Sequence, residues 1–170
     1  MGLTAKITAG VSAKLDNTID FGSAAATVTR AYELALTNGT GAGQADRLWS
    51  DQRTLTASAT EDLDLAGVLT DALGTTLSLA RIKGLIVAAA AANTNTVVLG
   101  GAGSNGFTSW VGGAAHTVTI RPGATFALFC GSGDATGYAV TAATGDILKV
   151  ANGGASTSVT YDIVVIGCSA

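Results

Sequence analysis

The sequence is poor in charged and aromatic side chains and contains a single histidine. Asp, Glu, Lys and Arg make up 12% of the 170 residues and aromatic residues make up 5%, and this charge content is about half the usual share of a soluble protein. So little charge argues against intrinsic disorder, which combines many charges with few apolar side chains. The scarcity of aromatic residues counts against a sugar-binding groove, which needs them along its walls.

Basic residues are too few and too scattered to predict a nucleic-acid surface. There are 9 Lys and Arg against 12 Asp and Glu, and only Arg81 and Lys83 lie close together, whereas binding to phosphate needs a basic stripe. The most apolar run, Leu85 to Ala92, is too short for a membrane span, which needs about twenty residues. Residues 1–10 lack the apolar stretch of a signal peptide. We therefore expect neither a nucleic acid nor a membrane as a partner.

Cysteine and histidine are too few to build a metal site or a disulfide framework. Cys130 and Cys168 each lie in an apolar run, which favours buried, reduced thiols and a reducing compartment such as the cytoplasm. His116 stands alone at the entry to a strand, and the spacing gives it no partner for acid–base chemistry. Structural zinc sites take four ligands, usually in close pairs. We expect no metal, no cofactor and no catalytic residue.

Two motifs with a chemical interpretation fail on their context. Gly101 to Gly106 matches Gly-x-Gly-x-x-Gly, but residues 107–113 do not predict the helix that dinucleotide binding requires. The acidic cluster could bind calcium, but it lacks the central Gly and terminal Glu of an EF-hand loop and is typical of a solvated turn. Its members are Glu61, Asp62, Asp64 and Asp71.

Alternation with period two, interrupted by Gly, Asn, Asp and Ser, predicts about eight short strands after Arg53. The last strand has two apolar faces toward its end, which predicts a central position covered on both sides. We also expect it to pair with the strand before the Asn152 to Gly154 turn. The one candidate helix is Leu65 to Leu73, capped by Asp64. The predicted strands lie at 54–59, with a continuation at 63–65 after an acidic kink, and at 76–90, 96–99, 117–120, 125–130, 138–142, 146–150 and 159–166.

This spacing predicts an all-β fold, a jelly-roll-like antiparallel β-sandwich with an extended N-terminal arm. An immunoglobulin-like sandwich is the alternative, and it is less favoured because the Cys–Trp–Cys core is missing. Residues 46–170 form the predicted sandwich. Residues 1–45 carry few large apolar groups, so we expect them to form an arm with one or two strands that orders on a neighbour. Asn38 to Gly43 reads as a flexible link.

Three aromatic residues are candidate interface positions. Trp49 and Trp110 lie in loop-like segments among small residues, where a Trp either closes the open end of the core or anchors an interface. Tyr32, in the arm, is the third candidate.

The stretch from Asp46 to Ala170 resembles a family of small tailed-bacteriophage virion proteins. The resemblance rests on Asp46 to Leu55, on Asp62 to Asp71, on Ala80 to Lys83, on the Pro122–Gly123 turn, and on Gly145 to Asn152 with Tyr161 to Ile163. It implies a jelly-roll cement protein that decorates a capsid and bridges its major capsid protein subunits. The family contributes no catalytic residues.

From these observations we expect a non-enzymatic structural protein of a virion, assembled in the host cytoplasm. Its expected partners are the major capsid protein or other virion proteins, and further copies of itself in a homo-oligomer. A tail, baseplate or fibre subunit is a second hypothesis. A carbohydrate-binding jelly-roll module is a third hypothesis, against which the few aromatic residues and the lone His116 count.

Overall fold

The computed structural model describes residues 2–170, which form an all-β structure of twelve strands and no helix. Two sheets stack as a sandwich and a long hairpin projects from it. The predicted all-β sandwich is confirmed. In chain order the strands are β1 (Ala5–Ile19), β2 (Gly22–Asn38), β3 (Gln44–Ala45), β4 (Arg47–Leu55), β5 (Thr60–Asp64), β6 (Arg81–Ala89), β7 (Val97–Gly100), β8 (Thr117–Ile120), β9 (Thr125–Phe129), β10 (Tyr138–Ala139), β11 (Ile147–Asn152) and β12 (Val159–Cys168).

The sandwich strands pair in a nested order, as in an antiparallel ribbon folded over on itself. β4 pairs with β12, β5 with β11, β6 with β9, and β7 with β8. The ribbon then rolls so that β6 lies beside β12 and β7 beside β11. The resulting sheets run β9–β6–β12–β4 and β5–β11–β7–β8, with β10 added to the edge of the first. This nesting gives the jelly-roll-like arrangement, in which two Greek keys form a double sheet.

The core lies between the two sheets, where alternate side chains of each strand point inward. Leu85 and Val87 of β6, Tyr161 and Ile163 of β12 and Leu148 of β11 are fully or almost fully buried there. Burying one such side chain contributes about 1.5–3 kcal/mol relative to leaving it in water. β12 is central in its sheet and has buried residues on both faces near its end, as its apolar pattern predicts.

Several sequence predictions about local structure are wrong. Residues 65–73 form turns and not a helix, because Asp64 Oδ1 accepts the N–H of Ala66 at 2.8 Å and the N–H of Leu65 donates to Asp146. β11 and β12 do not pair, since the turn at Asn152 carries the chain from one sheet to the other. The third error concerns residues 76–90, where the strand begins only at Arg81.

The segment 38–43 is a hydrogen-bonded turn and not a flexible link. The N–H of Thr37 donates to Gly43 at 3.0 Å, and the N–H of Gly39 donates to Ala45 at 3.2 Å. Gly39 and Gly43 both have positive φ, which glycine adopts without the steric cost that other residues incur. The turn lets β3 pair parallel with the end of β2.

The base of the hairpin packs on the outer face of the β6–β12 sheet. Ile7, Leu34 and Leu36 are buried there in a second apolar cluster that includes Cys130 and Ile166. Gly84 of β6 makes this approach possible, because a Cβ at Gly84 would overlap Ile7 Cδ1. The arm is therefore anchored to the sandwich by side chains of both its strands.

A polar network links the two sheets at Tyr161, whose side chain is fully buried. Its hydroxyl donates to Glu61 of β5 at 2.5 Å, and Arg53 Nε of β4 donates to the other oxygen of Glu61 at 2.6 Å. Burial, with the bond to Glu61, raises the pKa of Tyr161, so the phenol stays protonated and remains a donor. Arg53 also donates to Asp51 at 2.8 Å.

We predict that Tyr161→Phe lowers the free energy of unfolding by about 1.5–3 kcal/mol, the usual worth of a hydrogen bond to a charged group. Urea unfolding measures this. Tyr138→Phe is the matched control, because the Tyr138 hydroxyl has no hydrogen-bond partner among residues 2–170, and its change should be small. Equal losses in the two variants would contradict the role given to the network.

We predict that Gly84→Leu displaces the base of the arm at a cost of about 1–3 kcal/mol, the usual range for overpacking. Faster trypsin cleavage after Lys6, in the strand that carries Ile7, would report the displacement. Adding Ile7→Ala makes room for the new side chain, so the double variant should lose less than the sum of the single losses. Simple additivity would show that the two side chains do not compete for one space.

Candidate functional site

We define the distal arm as residues 10–33, the part of the hairpin that projects from the body of the protein. Every residue of the distal arm is exposed. β1 and β2 stay paired along its whole length, from Ala5 opposite Leu36 to Ile19 opposite Gly22. The turn at Asp20–Phe21 closes the hairpin, and the ring of Phe21 is 98% exposed at the tip. An isolated two-stranded ribbon is marginally stable in water, and every residue of this part of the hairpin is exposed.

One face of the arm is apolar. Directly opposed residues of an antiparallel pair share a face, and the pairs that continue the buried pair Ile7–Leu34 toward the tip are mostly apolar. We call this surface the apolar face. Its rows are Ala9–Tyr32, Val11–Arg30, Ala13–Val28, Leu15–Ala26, Asn17–Ala24 and Ile19–Gly22.

The opposite face of the arm is polar. It carries Thr8, Ser12, Thr18 and their partners, together with two exposed ion pairs. Lys6 Nζ lies 2.9 Å from Glu33, and Lys14 Nζ lies 2.9 Å from Asp16. The arm is thus amphipathic across its two faces, although both faces are exposed in the isolated chain.

Exposed large apolar side chains concentrate on the arm. Residues 2–170 expose nine of them, and six belong to the arm. Five of these six lie on the apolar face and the sixth is Phe21. Scattered single apolar residues are normal on a protein surface, whereas a contiguous patch marks an interaction site. The six are Val11, Leu15, Ile19, Phe21, Val28 and Tyr32.

The three aromatic candidates lie in different environments. Tyr32 is 61% exposed on the apolar face, where it is the first large side chain beyond the buried base. Trp49 is only 4% exposed and belongs to the sandwich core, so of the two roles that the sequence left open, its burial favours the one in the core. The sequence placed Trp49 in a loop-like segment because its neighbours are small and polar, whereas it lies within β4, where these neighbours alternate as a strand does.

Trp110 closes one end of the sandwich. Its ring centroid is 6.4 Å from that of Phe107 and 5.6 Å from that of Phe126, and its Nε1–H donates to the Phe107 carbonyl at 2.9 Å. The indole is half-buried against the core. Of the two roles that the sequence left open for Trp110, these contacts favour the plug.

Ser109 and Asp134, whose side chains could in principle serve a histidine in acid–base chemistry, have other partners. Ser109 donates to the Ala139 carbonyl at 2.9 Å, and the Asp134 carboxylate accepts from Thr136 and Gly137. No hydrogen bond within residues 2–170 joins the His116 ring to either of them. The arrangement gives His116 no relay for proton transfer.

The glycine-rich loop at 101–106 braces the sandwich. The Asn105 carbonyl accepts the N–H groups of Asp146 and Ile147, and turns follow the loop where a dinucleotide site would need a helix. Asn105 itself has a φ of 52°. The loop therefore uses its polar backbone atoms internally.

The acidic residues serve separate structural roles. Glu61 belongs to the Tyr161 network, Asp64 closes a turn, and Asp71 accepts the N–H groups of Leu73 and Thr75 at 2.9 Å. The described part of the chain holds no group of three His, Cys, Asp or Glu side chains arranged to bind a metal ion.

Lys83 is a buried cation that the sequence did not reveal. Its side chain is fully buried, and Nζ donates to the Asp134 carbonyl at 2.5 Å. The hydroxyl and N–H of Thr136 and the N–H of Gly137 hold the pKa of the Asp134 carboxyl at about 2. Lys83 faces the loop 131–137, which covers it.

The two cysteines are free and buried. Burial raises the pKa of both the Cys130 and the Cys168 thiols. Because the thiolate is the reactive form, both residues are poor nucleophiles. Their contribution is packing, and Cys130 belongs to the cluster under the base of the arm.

A cavity of about 310 Å³ lies beside the base of the arm, where Leu3 meets the edge strand β4. Leu48 and Leu73 form much of its apolar wall, and Asp46 and Arg47 are paired at its rim with 3.2 Å between Nη1 and Oδ2. Most of the surface that lines the cavity is apolar.

None of the described residues forms a helix with the length and apolarity needed to cross a membrane. Comparison of the chain with protein families, with curated proteins and with solved structures finds no match. The arm, with its exposed apolar face, is the candidate functional site.

Proposed function

We propose that this chain is a structural protein of a bacteriophage particle, a decoration or cement protein that stabilises the shell by bridging major capsid protein subunits. The observation that carries the proposal is the amphipathic arm, whose apolar face has no covering partner within the chain. The proposal also draws on the resemblance of residues 46–170 to small virion proteins.

The body of the molecule suits a role in assembly. Jelly rolls recur in viral capsid and lectin domains, although a fold by itself does not determine function. The low charge of the chain fits interface cores, which are depleted in charged residues. Three observations favour a non-enzymatic role. The Gly101–Gly106 loop forms hydrogen bonds within the sandwich, His116 has no partner for proton transfer, and both thiols are buried.

The arrangement is less suited to binding sugars. A sugar platform needs exposed aromatic rings in a groove, and Trp49 is in the core while Trp110 packs against Phe107 and Phe126. Tyr32 and Phe21 are exposed, but they lie near opposite ends of the distal arm. Assembly therefore explains the exposed apolar residues better.

A repeated lattice makes a modest interface sufficient. When each copy of a bridging protein makes two or more contacts, the second contact forms at a high effective concentration and the overall avidity exceeds that of either contact alone. A projecting arm on a compact body provides two separate surfaces for this purpose.

We expect hundreds of copies of the chain per particle when particles of the phage that encodes it are purified and the copy number is measured by mass spectrometry. A dozen copies or fewer would favour a tail, baseplate or fibre subunit instead. Absence from the particles would contradict every virion role.

A shortened arm tests whether the arm is used in assembly. Replacing residues 10–31 by Asn-Gly joins Ala9 to Tyr32 through a two-residue turn of the preferred type. This pair has the same hydrogen-bonding phase as Ile19–Gly22 at the native two-residue turn, because hydrogen-bonded and non-hydrogen-bonded pairs alternate along the ribbon. The buried base remains, so circular dichroism and urea unfolding should still report a folded sandwich. We expect the loading of this variant onto particles that lack the protein to fall at least tenfold. Full loading would contradict the role of the arm.

A further inference from the structure

The large and small side chains on the apolar face of the arm are arranged so that the face is complementary in shape to the same face of a second copy. In the half nearer the tip the large side chains, Leu15 and Ile19, belong to β1 and stand opposite Ala26 and Gly22 of β2. In the half nearer the base most of the large side chains belong to β2, where Tyr32 stands opposite Ala9 and Val28 stands opposite Ala13. The row between them, Val11–Arg30, is large on both strands.

This alternation places raised areas at two diagonal quarters of the face and low areas at the other two. A two-fold axis in the plane of the face, directed along or across the arm, exchanges raised quarters with low ones. The large side chains of one copy then lie over the alanines of the other. Such an isologous contact is the commonest kind in homo-oligomers, and interdigitation of large and small side chains is what dense packing requires.

The charge of the arm permits this pairing. The arm carries Lys6, Lys14 and Arg30 against Asp16, Asp20 and Glu33, so three positive and three negative charges cancel. Arg30 is the one charged residue on the apolar face, and its guanidinium bends to donate to the Thr29 carbonyl at 2.9 Å. Two copies therefore meet without net repulsion, and the face shows no excess charge that would select a strongly acidic or basic partner.

The exposed area is sufficient for a stable contact. The five large apolar residues on the apolar face are between 48% and 74% accessible. With the alanines and Arg30 between them they offer an area on the order of the 800 Å² that each partner of a standard interface contributes. At the base of the arm the same face is already buried, since its residues Ile7 and Leu34 pack against the sandwich. A second copy would extend an existing apolar contact to the tip.

We propose that the apolar face of the arm packs against the same face of a second copy of this chain, so that the protein assembles through paired arms. The pairing requires no particle and is independent of the proposed function. It leaves the polar faces, with their ion pairs, directed to solvent.

The test uses the purified full-length chain and two neighbouring positions of β2. Val28→Lys places a charge on the apolar face, and Thr29→Lys places the same charge on the polar face. Both native residues are β-branched and each new lysine lies near one cation, Arg30 or Lys14, so the variants differ mainly in the face they alter. Light scattering after size-exclusion chromatography, over a range of concentrations, gives the mass.

We expect a native mass of at least twice 16.7 kDa, retention of that mass in Thr29→Lys, and a monomer in Val28→Lys. A monomeric native chain at all concentrations would overturn the proposal and assign the face to another protein. An equal response of the two variants, whether both dissociate or neither does, would also overturn it. Leu15→Lys and Thr18→Lys repeat the comparison on β1 if either β2 variant fails to fold.

Discussion

The arrangement of this protein depends on a small apolar contact outside the main core. Ile7, Leu34 and Leu36 settle on the outer face of the β6–β12 sheet, over a position where Gly84 has no side chain. That contact, with the pairing of β2 to β3, fixes the direction in which the hairpin leaves the body, because every residue of the distal arm is exposed. With it, the two strands leave the body in a defined register, and their apolar face continues a surface that is already buried.

The nested pairing of the jelly-roll-like body makes this anchorage rigid. β12, the last strand, lies between β4 and β6, so the strand that carries Ile166 is held on both edges. The Tyr161–Glu61 hydrogen bond then connects this sheet to the other. The core between the sheets and the apolar cluster at the base of the arm are separate. The arm can therefore bury its apolar face against a partner while the core of the sandwich stays intact.

Alternation in the sequence was sufficient to predict an all-β sandwich and the bounds of β8, but it could not supply strand partners. A period of two indicates that Ile147 to Val150 is a strand, yet it does not say whether that strand pairs with its neighbour or crosses to the other sheet. Burial of Lys83 also depends on a distant loop that covers it. The arm did leave a signal, since Ile7, Val11, Leu15 and Ile19 share one parity before the turn at Phe21. The signal is weak because most residues between them are small, such as alanine and threonine, so the segment contains few large apolar side chains.

The central claim is that the apolar face of the arm is covered in the assembled protein and exposed in the isolated chain. Hydrogen–deuterium exchange of the backbone amides of residues 10–33 tests it most directly, measured for the chain at high dilution and in its assembled state. The account predicts that assembly slows exchange strongly in these residues and leaves β6 and β12 unchanged, because opening of a two-stranded ribbon is suppressed once its face is packed. Equal exchange in the two states, or protection confined to the sandwich, would contradict it.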